Sequence, residues 1–256
     1  MTVWEAVFLG VLQGLTEFLP VSSSGHLVLA QRIFGIQGGV VLFDVTVHLG
    51  TLLAVGICFW RDLWALVKKP LCRETGMLIV ATVPAVAVAL IFGDLIEEAF
   101  GGTYLGWGFL ITAVILLPAG RAKSIPDQKI GYKAAVIMGL AQGLAVLPGI
   151  SRSGATIGGG SFAGADRGEA ARFSFLMSFP VILGAAAYQF TKLGAVTQSV
   201  GALPLALGFA FAALAGVISV KFMLGVIRKA RFWPFSVYLF LLGGFVLLNQ
   251  YVLNLF

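Results

Sequence analysis

Gln13-Gly-Leu-Thr-Glu17-Phe-Leu-Pro20-Val-Ser22-Ser23-Ser24-Gly25-His26 is answered later in the chain by Gln142-Gly-Leu-Ala-Val-Leu-Pro148-Gly-Ile-Ser151-Arg152-Ser153-Gly154-Ala-Thr156. At a constant offset of 129 residues (13 to 142), Ala6, Val7, Gly10, Gln13, Gly14, Leu15, Ser22, Ser24 and Gly25 recur as Ala135, Val136, Gly139, Gln142, Gly143, Leu144, Ser151, Ser153 and Gly154. Self-similarity at a fixed offset is an internal repeat. Each copy begins apolar and helical in pattern, breaks at a proline, and then presents hydroxyls and glycines. The copies differ in their reactive groups: the first adds Glu17 and His26, and the second places Arg152 opposite Ser23.

The solvent of this chain follows from its composition. Hydrophobic residues make up 59%, charged residues only 11%, and the mean hydropathy is +0.99. A soluble domain carries about 25% charged residues, so the chain is read as an integral membrane protein. The net charge of +6 would suit nucleic acid, but the basic residues fall in short clusters between apolar spans, the mark of topology rather than of a binding stripe. Cys58 and Cys72 are the two cysteines, and they supply neither a disulfide frame nor a metal-ligand spacing. No basic segment precedes the first apolar stretch, which carries Glu5, so no cleaved signal peptide is expected.

Residues 5 to 19 stop at Pro20 and are shorter than the roughly 20 residues a helix needs to cross the hydrocarbon core. With the next short segment, about 23 to 35, they predict a re-entrant hairpin (about 5–35) that enters and leaves on one side. Its tip must line a cavity, because non-helical backbone at membrane depth is tolerated only there. Full spans are expected at about 43–60, 76–93 and 104–119; a second hairpin at about 133–163; and further spans at about 171–190, 202–223 and 235–255. The fold class expected is therefore an all-α integral membrane protein with six full transmembrane helices and two re-entrant helical hairpins. It forms one membrane domain of two repeats, 1–129 and 130–256. Three crossings per repeat is odd, so the second repeat is inverted relative to the first and the hairpins meet near the midplane.

Loop charges give the same topology. Arg61, Lys68, Lys69 and Arg73 follow the first span, Asp94, Glu97 and Glu98 the second, and Arg121, Lys123, Lys129 and Lys133 the third. Basic, acidic, basic is the alternation for cytoplasm, outside, cytoplasm. Lys192 alone marks the loop at 191–201 as outside, while Lys221, Arg228, Lys229 and Arg231 return the chain to the cytoplasm. Both termini and the mouth of the first hairpin are then outside.

A charged side chain at the bilayer centre costs about 2.5–3.5 kcal/mol on insertion scales, so Glu17 and Arg152 are functional candidates. Their plain structural reading is an ion pair locking the repeats together. Ser151, Ser153, Thr156 and the surrounding glycines give Arg152 a different context, because a guanidinium fork beside hydroxyls and a helix N-terminus makes a phosphate site. Ser22, Ser23, Ser24 and His26 face it from the first copy. A serine attacks phosphorus once a base removes its proton, and Glu17 and His26 are both candidates for that base. His26 is also a candidate nucleophile or proton donor to a leaving oxygen. Gln13 lies on the face of Glu17 four residues earlier, placed to bind substrate or a metal through its carbonyl or to cap a buried polar cluster. His48 follows Asp44 at helical spacing, which suits a cavity border or core packing. Trp60, Trp64, Tyr104, Trp233 and Tyr251 near span ends read as interface anchors. Neither a nucleophile elbow nor a Walker A sequence is present.

Over essentially its whole length the sequence resembles the undecaprenyl-diphosphate phosphatases, also called bacitracin-resistance proteins, and both signature motifs are the stretches quoted above. The resemblance implies a hydrolase that removes the terminal phosphate of undecaprenyl diphosphate and so recycles the lipid carrier for peptidoglycan synthesis. It implies an inverted-repeat fold in a bacterial inner membrane with the site open to the outer side. By that resemblance Glu17, Ser23, His26 and Arg152 are catalytic, with Gln13, Ser22, Ser24, Ser151, Ser153 and Thr156 as substrate ligands. Glu17 is also the candidate metal residue for a divalent cation, Mg²⁺ or Ca²⁺, and no organic cofactor is expected. Gln13 stands where one form of the motif has glutamate, which bears on any mechanism needing two carboxylates. The partners expected are a polyprenyl diphosphate and membrane lipids, with no nucleic acid; a homodimer is compatible with the sequence. A second reading from another class is an inverted-repeat transporter or flippase of a polyprenyl phosphate or other anion.

Overall fold

In the computed structural model, residues 1–36, 41–122, 124–229 and 231–255 are described, less 101–103 and 193–199. Lys123, used in the loop-charge argument, and most of the loop at 191–201 lie outside them. Among the described residues every regular element is helical: α1 (Val3–Phe18), α2 (Ser23–Ile33), α3 (Val41–Cys58), α4 (Trp60–Lys68), α5 (Arg73–Ile91), α6 (Gly93–Phe100), α7 (Leu105–Ala119), α8 (Tyr132–Leu144), α9 (Arg152–Phe162), α10 (Arg167–Lys192), α11 (Ala202–Arg228) and α12 (Trp233–Leu248), followed by a π-helical turn Asn249–Leu253. Five stretches, Val41–Cys58, Arg73–Ile91, Arg167–Thr191, Ala202–Ile227 and Trp233–Leu253, are long and apolar enough to cross a membrane. The apolar α7 has 15 residues, about 22 Å of helix, and falls short of the hydrocarbon thickness on its own.

The local sequence explains the breaks. Thr2 and Glu5 form a capping box that starts α1, and Leu19-Pro20 ends it in extended backbone. Ser22 then caps α2 by accepting the Gly25 N–H, and Ser151 caps α9 by accepting the Gly154 N–H. These are the same residues of the two copies, so the repeated Ser-x-Ser-Gly is first a helix-start signal. The two caps differ in backbone: Ser22 holds φ +67°, a left-handed conformation costly for a residue with a Cβ, whereas Ser151 is extended. Two helices that pattern reading had folded into loops also form. One is α6; the other is the amphipathic α4, on which Arg61 lies over Trp60 and Lys68 over Trp64.

Packing follows the small residues of the repeat. α1 lies against α11, and α8 against α5, while α7 pairs with α12 and α3 sits between α11 and α10. A Cβ on Gly14 would stand 2.5 Å from the carbonyl oxygen of Ala212, and one on Gly139, 2.7 Å from that of Ala81. Each glycine thus lets two helix backbones touch. The first helix of each copy is held this way against a helix of the other half, which suspends both proline-broken tips inside the bundle. Phe18, directly after Glu17, is fully buried and meets the edge of Phe175 on α10 at 5.4 Å, anchoring the end of α1.

At one end of the bundle Arg172 ties α10 to two other helices. Its Nε donates to Asp62 of α4 at 2.8 Å and its Nη1 to Glu74 of α5 at 2.7 Å, with Glu169 at 3.9 Å. Asp166 starts α10 by accepting the Gly168 and Glu169 N–H groups, which is why the helix begins about one turn before its apolar run.

Candidate functional site

Ser23 and Arg152 are the first residues of α2 and α9, one on each copy and at the same place in the repeat. Both reach one carboxylate. The Ser23 hydroxyl donates to Glu17 Oε2 at 2.5 Å, Gln13 Nε2 donates to the same oxygen at 2.8 Å, and Arg152 Nη2 donates to Glu17 Oε1. Gln13 is fully buried and Glu17 is 6% exposed. An isolated carboxylate at that depth would cost several kcal/mol; here both of its oxygens are met by three donors, one of them cationic. The N-termini of α2 and α9 converge on the same point, and their free N–H groups add positive potential where an anion would sit.

The tips also touch through neutral groups. The Ser153 hydroxyl donates to the Leu19 carbonyl at 2.9 Å, and Pro20 packs against Gly154 at a position where a Cβ would be tight. Behind the second tip Thr112 of α7 is buried, accepting the Ser151 N–H at 2.9 Å and donating to the Gly149 carbonyl at 3.0 Å. Gly149 needs φ +88° and stands against the backbone of Leu105 and Gly108, a position closed to any side chain.

The structure thus gathers Gln13, Glu17, Ser23, Arg152 and Ser153 and sorts the remaining candidates. Ser22 and Ser151 spend their hydroxyls on capping, and Ser151 also meets Ser153 at 3.2 Å. Thr156 turns back into the protein, donating to the Arg152 carbonyl and meeting the Ser174 hydroxyl at 2.6 Å; it supports α9. Ser24 is half-buried and makes no side-chain hydrogen bond among the described residues. His26 makes its side-chain hydrogen bonds elsewhere than to Ser23: its Nδ1 lies 2.8 Å from the Ser22 carbonyl and its Nε2 2.7 Å from the Tyr238 hydroxyl. Of the two candidate bases, Glu17 is the one in contact with the Ser23 hydroxyl.

Two further residues stand nearby: His48, which in sequence suits a cavity border or core packing, and Tyr238, which the sequence reading passes over. His48 Nε2 approaches Glu17 Oε2 to 3.9 Å while its Nδ1 donates to the Asp44 carbonyl at 2.7 Å. An ionisable residue inside an apolar span was the available signal; helical spacing from Asp44 gave it an adequate packing role instead. Tyr238 gave no signal, since a tyrosine in an apolar span reads as a lipid-facing ring. Gln142, the counterpart of Gln13, took a structural course, donating to the Ala81 carbonyl in the turn before Pro84.

A divalent cation would fit at Glu17. Gln13 Oε1 is buried with no hydrogen-bond partner among the described residues, beside a carboxylate. An orphaned amide oxygen next to one carboxylate suits a hard cation that completes its shell with ligand phosphate oxygens.

The bacitracin resistance protein BacA family matches residues 6–245. Among curated proteins the chain is 46% identical to the undecaprenyl-diphosphatase of Carboxydothermus hydrogenoformans, over 98% of each chain. It is 40% identical to that of Christiangramia forsetii, over 95% of this chain and 96% of the relative, and 36% identical to that of Halothermothrix orenii, over 97% and 98%. With its apolar helices and two facing serine-bearing tips, this multi-pass membrane protein belongs to the BacA bacitracin resistance family.

Proposed function

We propose that this protein is an undecaprenyl-diphosphatase that cleaves the terminal phosphate from the lipid diphosphate in a cavity between the α1–α2 and α8–α9 tips. The observation that carries the reading is the Glu17 carboxylate shared by the Ser23 hydroxyl and the Arg152 guanidinium, at the meeting point of two helix N-termini. A hydroxyl on a carboxylate, beside a cation and free N–H groups, is what attack on a phosphorus needs.

In the first step the Ser23 proton passes to Glu17 Oε2 and Oγ attacks the terminal phosphorus. The bond to the bridging oxygen breaks, undecaprenyl phosphate leaves with the bonding pair, and a phosphoserine remains. Arg152, whose Nη1 is buried without a partner among the described residues, offers that second donor to the phosphates and offsets charge on the bridging oxygen. Water then hydrolyses the phosphoserine; direct attack by water on the diphosphate is the close variant. Little covalent work is asked of the protein beyond positioning and electrostatics, as is usual for phosphoryl transfer. A divalent cation held by Glu17 and the Gln13 carbonyl would neutralise phosphate charge during binding.

The α1–α2 and α8–α9 pairs act as re-entrant hairpins of an inverted repeat. The packing supports this, since exchanging the copies maps the α1–α11 contact onto α8–α5 and leaves α7–α12 and α3–α10 in place. The alternation of basic and acidic loops supports a topology with the termini and the substrate mouth outside the cytoplasm, and in this reading the protein sits in a bacterial inner membrane with the prenyl tail in lipid.

The test is inorganic phosphate release from a long-chain polyprenyl diphosphate by purified protein in detergent, with divalent cation varied and Ser23→Ala alongside. Rapid quench with substrate labelled on the terminal phosphate traps a phosphoserine in the wild type and none in Ser23→Ala. Release without a trapped intermediate assigns the direct-water variant. No release under any cation refutes the phosphatase reading.

A further inference from the structure

The environment of His26 is more specific than a lone histidine needs. A backbone carbonyl only accepts, so the 2.8 Å contact between Nδ1 and the Ser22 carbonyl fixes the ring proton on Nδ1. Nε2 then carries a lone pair, and the Tyr238 hydroxyl, 2.7 Å away, donates to it. The Tyr238 ring lies nearly parallel to the imidazole, 15° between planes at 5.8 Å, and Phe109 meets the imidazole at a steep angle, 67° between planes at 5.3 Å. Two hydrogen bonds and two rings hold the imidazole in one tautomer and one orientation. The neutral ring in water carries its proton mostly on the other nitrogen, so this arrangement is imposed.

The geometry points to Tyr238 as a positioning residue that holds the orientation of the His26 ring, whose tautomer the Ser22 carbonyl sets. It rests on the phosphatase reading and adds a division of labour. Glu17 already holds the Ser23 hydroxyl, so His26 is spared from the first proton transfer. Its lone pair on Nε2 suits it to accept a proton from water in the second step: the water oxygen bonds to phosphorus, one water proton goes to Nε2, and the Ser23 oxygen leaves with its bonding pair and takes back the proton held by Glu17. Tyr238 holds the ring in place until then and yields its position to that water. A histidine with the opposite tautomer would present an N–H and could not act as this base.

Only two histidines occur in the chain, so the tautomer is directly readable by ¹⁵N NMR of histidine-labelled full-length protein in detergent, with His48→Gln assigning the signals. The result expected is a Nδ1–H tautomer for His26 in the wild type. Tyr238→Phe keeps the ring and removes the hydroxyl; the proton stays on Nδ1, the His26 Nε2 resonance shifts with loss of its hydrogen bond, and kcat falls about 10- to 100-fold, the scale of losing an outer-shell partner, with KM little changed. Unmoved His48 signals report an intact fold. A wild-type Nε2–H tautomer, or a Tyr238→Phe protein with unaltered Nε2 resonance and kcat, overturns the proposal. The spectra decide it even where the wild type releases no phosphate, so its failure and that of the phosphatase reading are separable.

Discussion

Arg152→Ala is expected to damage turnover and stability by different routes, and the structure separates them. Arg152 gives Nη2 to Glu17 and keeps Nη1 buried and unpartnered among the described residues. Losing one preorganised donor costs about 10²- to 10³-fold in kcat, or 2.7–4 kcal/mol. The same change leaves Glu17, 6% exposed, without its cation, and breaking a buried pair from one side destabilises by about 3–5 kcal/mol. Arg152→Lys restores a charge to Glu17 but not the second arm of the fork. It should therefore recover most of the thermal stability while remaining at least tenfold slow. Adding Glu17→Gln to Arg152→Ala removes the stranded charge and should raise the unfolding temperature of the single variant without restoring activity. Phosphate release and thermal unfolding in one detergent measure both quantities. Turnover within tenfold of wild type in Arg152→Ala would sink the argument, as would an Arg152→Lys protein as unstable as the alanine variant.

Gly14→Ala forces the α1 and α11 backbones apart and should cost about 1–3 kcal/mol as a lower unfolding temperature, whereas Gly56→Ala, with open space at its Cβ, should not; equal effects would show that the close approach is unimportant. Gln13→Glu puts a second carboxylate beside Glu17 and should lower the divalent cation concentration needed for half-maximal turnover, or abolish turnover in cation-free buffer; an unchanged cation titration rules out a metal at this point. The side-chain and backbone hydrogen bonds with Thr75 hold the half-buried Cys72 thiol below its usual value. Its thiolate therefore persists to lower pH than an ordinary cysteine's, and alkylation slows only as pH falls through that lowered value. A membrane-impermeant thiol reagent should reach Cys72 in inverted vesicles and not in spheroplasts, and the reverse pattern would turn the topology over.

Helices and tips were readable because the repeat wrote them twice. Pro20 and Pro148 mark the breaks, Ser22 and Ser151 the restarts, and apolar runs the spans. The pairing of Glu17 with Arg152 was legible too, since two opposite charges inside an apolar chain have few other partners. Choosing Glu17 over His26 as the partner of Ser23 was not. Both lie within a few residues of it, and the left-handed backbone at Ser22 between the two helices is a turn that no pattern announces. Ser22, Ser151 and Thr156 read as ligands by residue type, and in the structure the two serine oxygens also cap helices while Thr156 meets Ser174. His48 and Tyr238 enter from α3 and α12, and such distant contacts leave no trace in local spacing. The helix α4 was hidden because its basic residues read equally well as a loop.

The contact between Glu17 and Arg152 joins residues from opposite halves of the chain, and Glu17, Ser23 and His26 meet Val146, Arg152 and Ala155 at the repeat offset, so they have no chemical equivalents in the second half. The two copies of the motif therefore carry different chemistry within one polypeptide. Fragments 1–129 and 130–256, produced separately, would each carry half an active centre and be inert. Produced together, they would be drawn into register by the glycine-lined α1–α11 and α8–α5 seams, and activity would report their assembly.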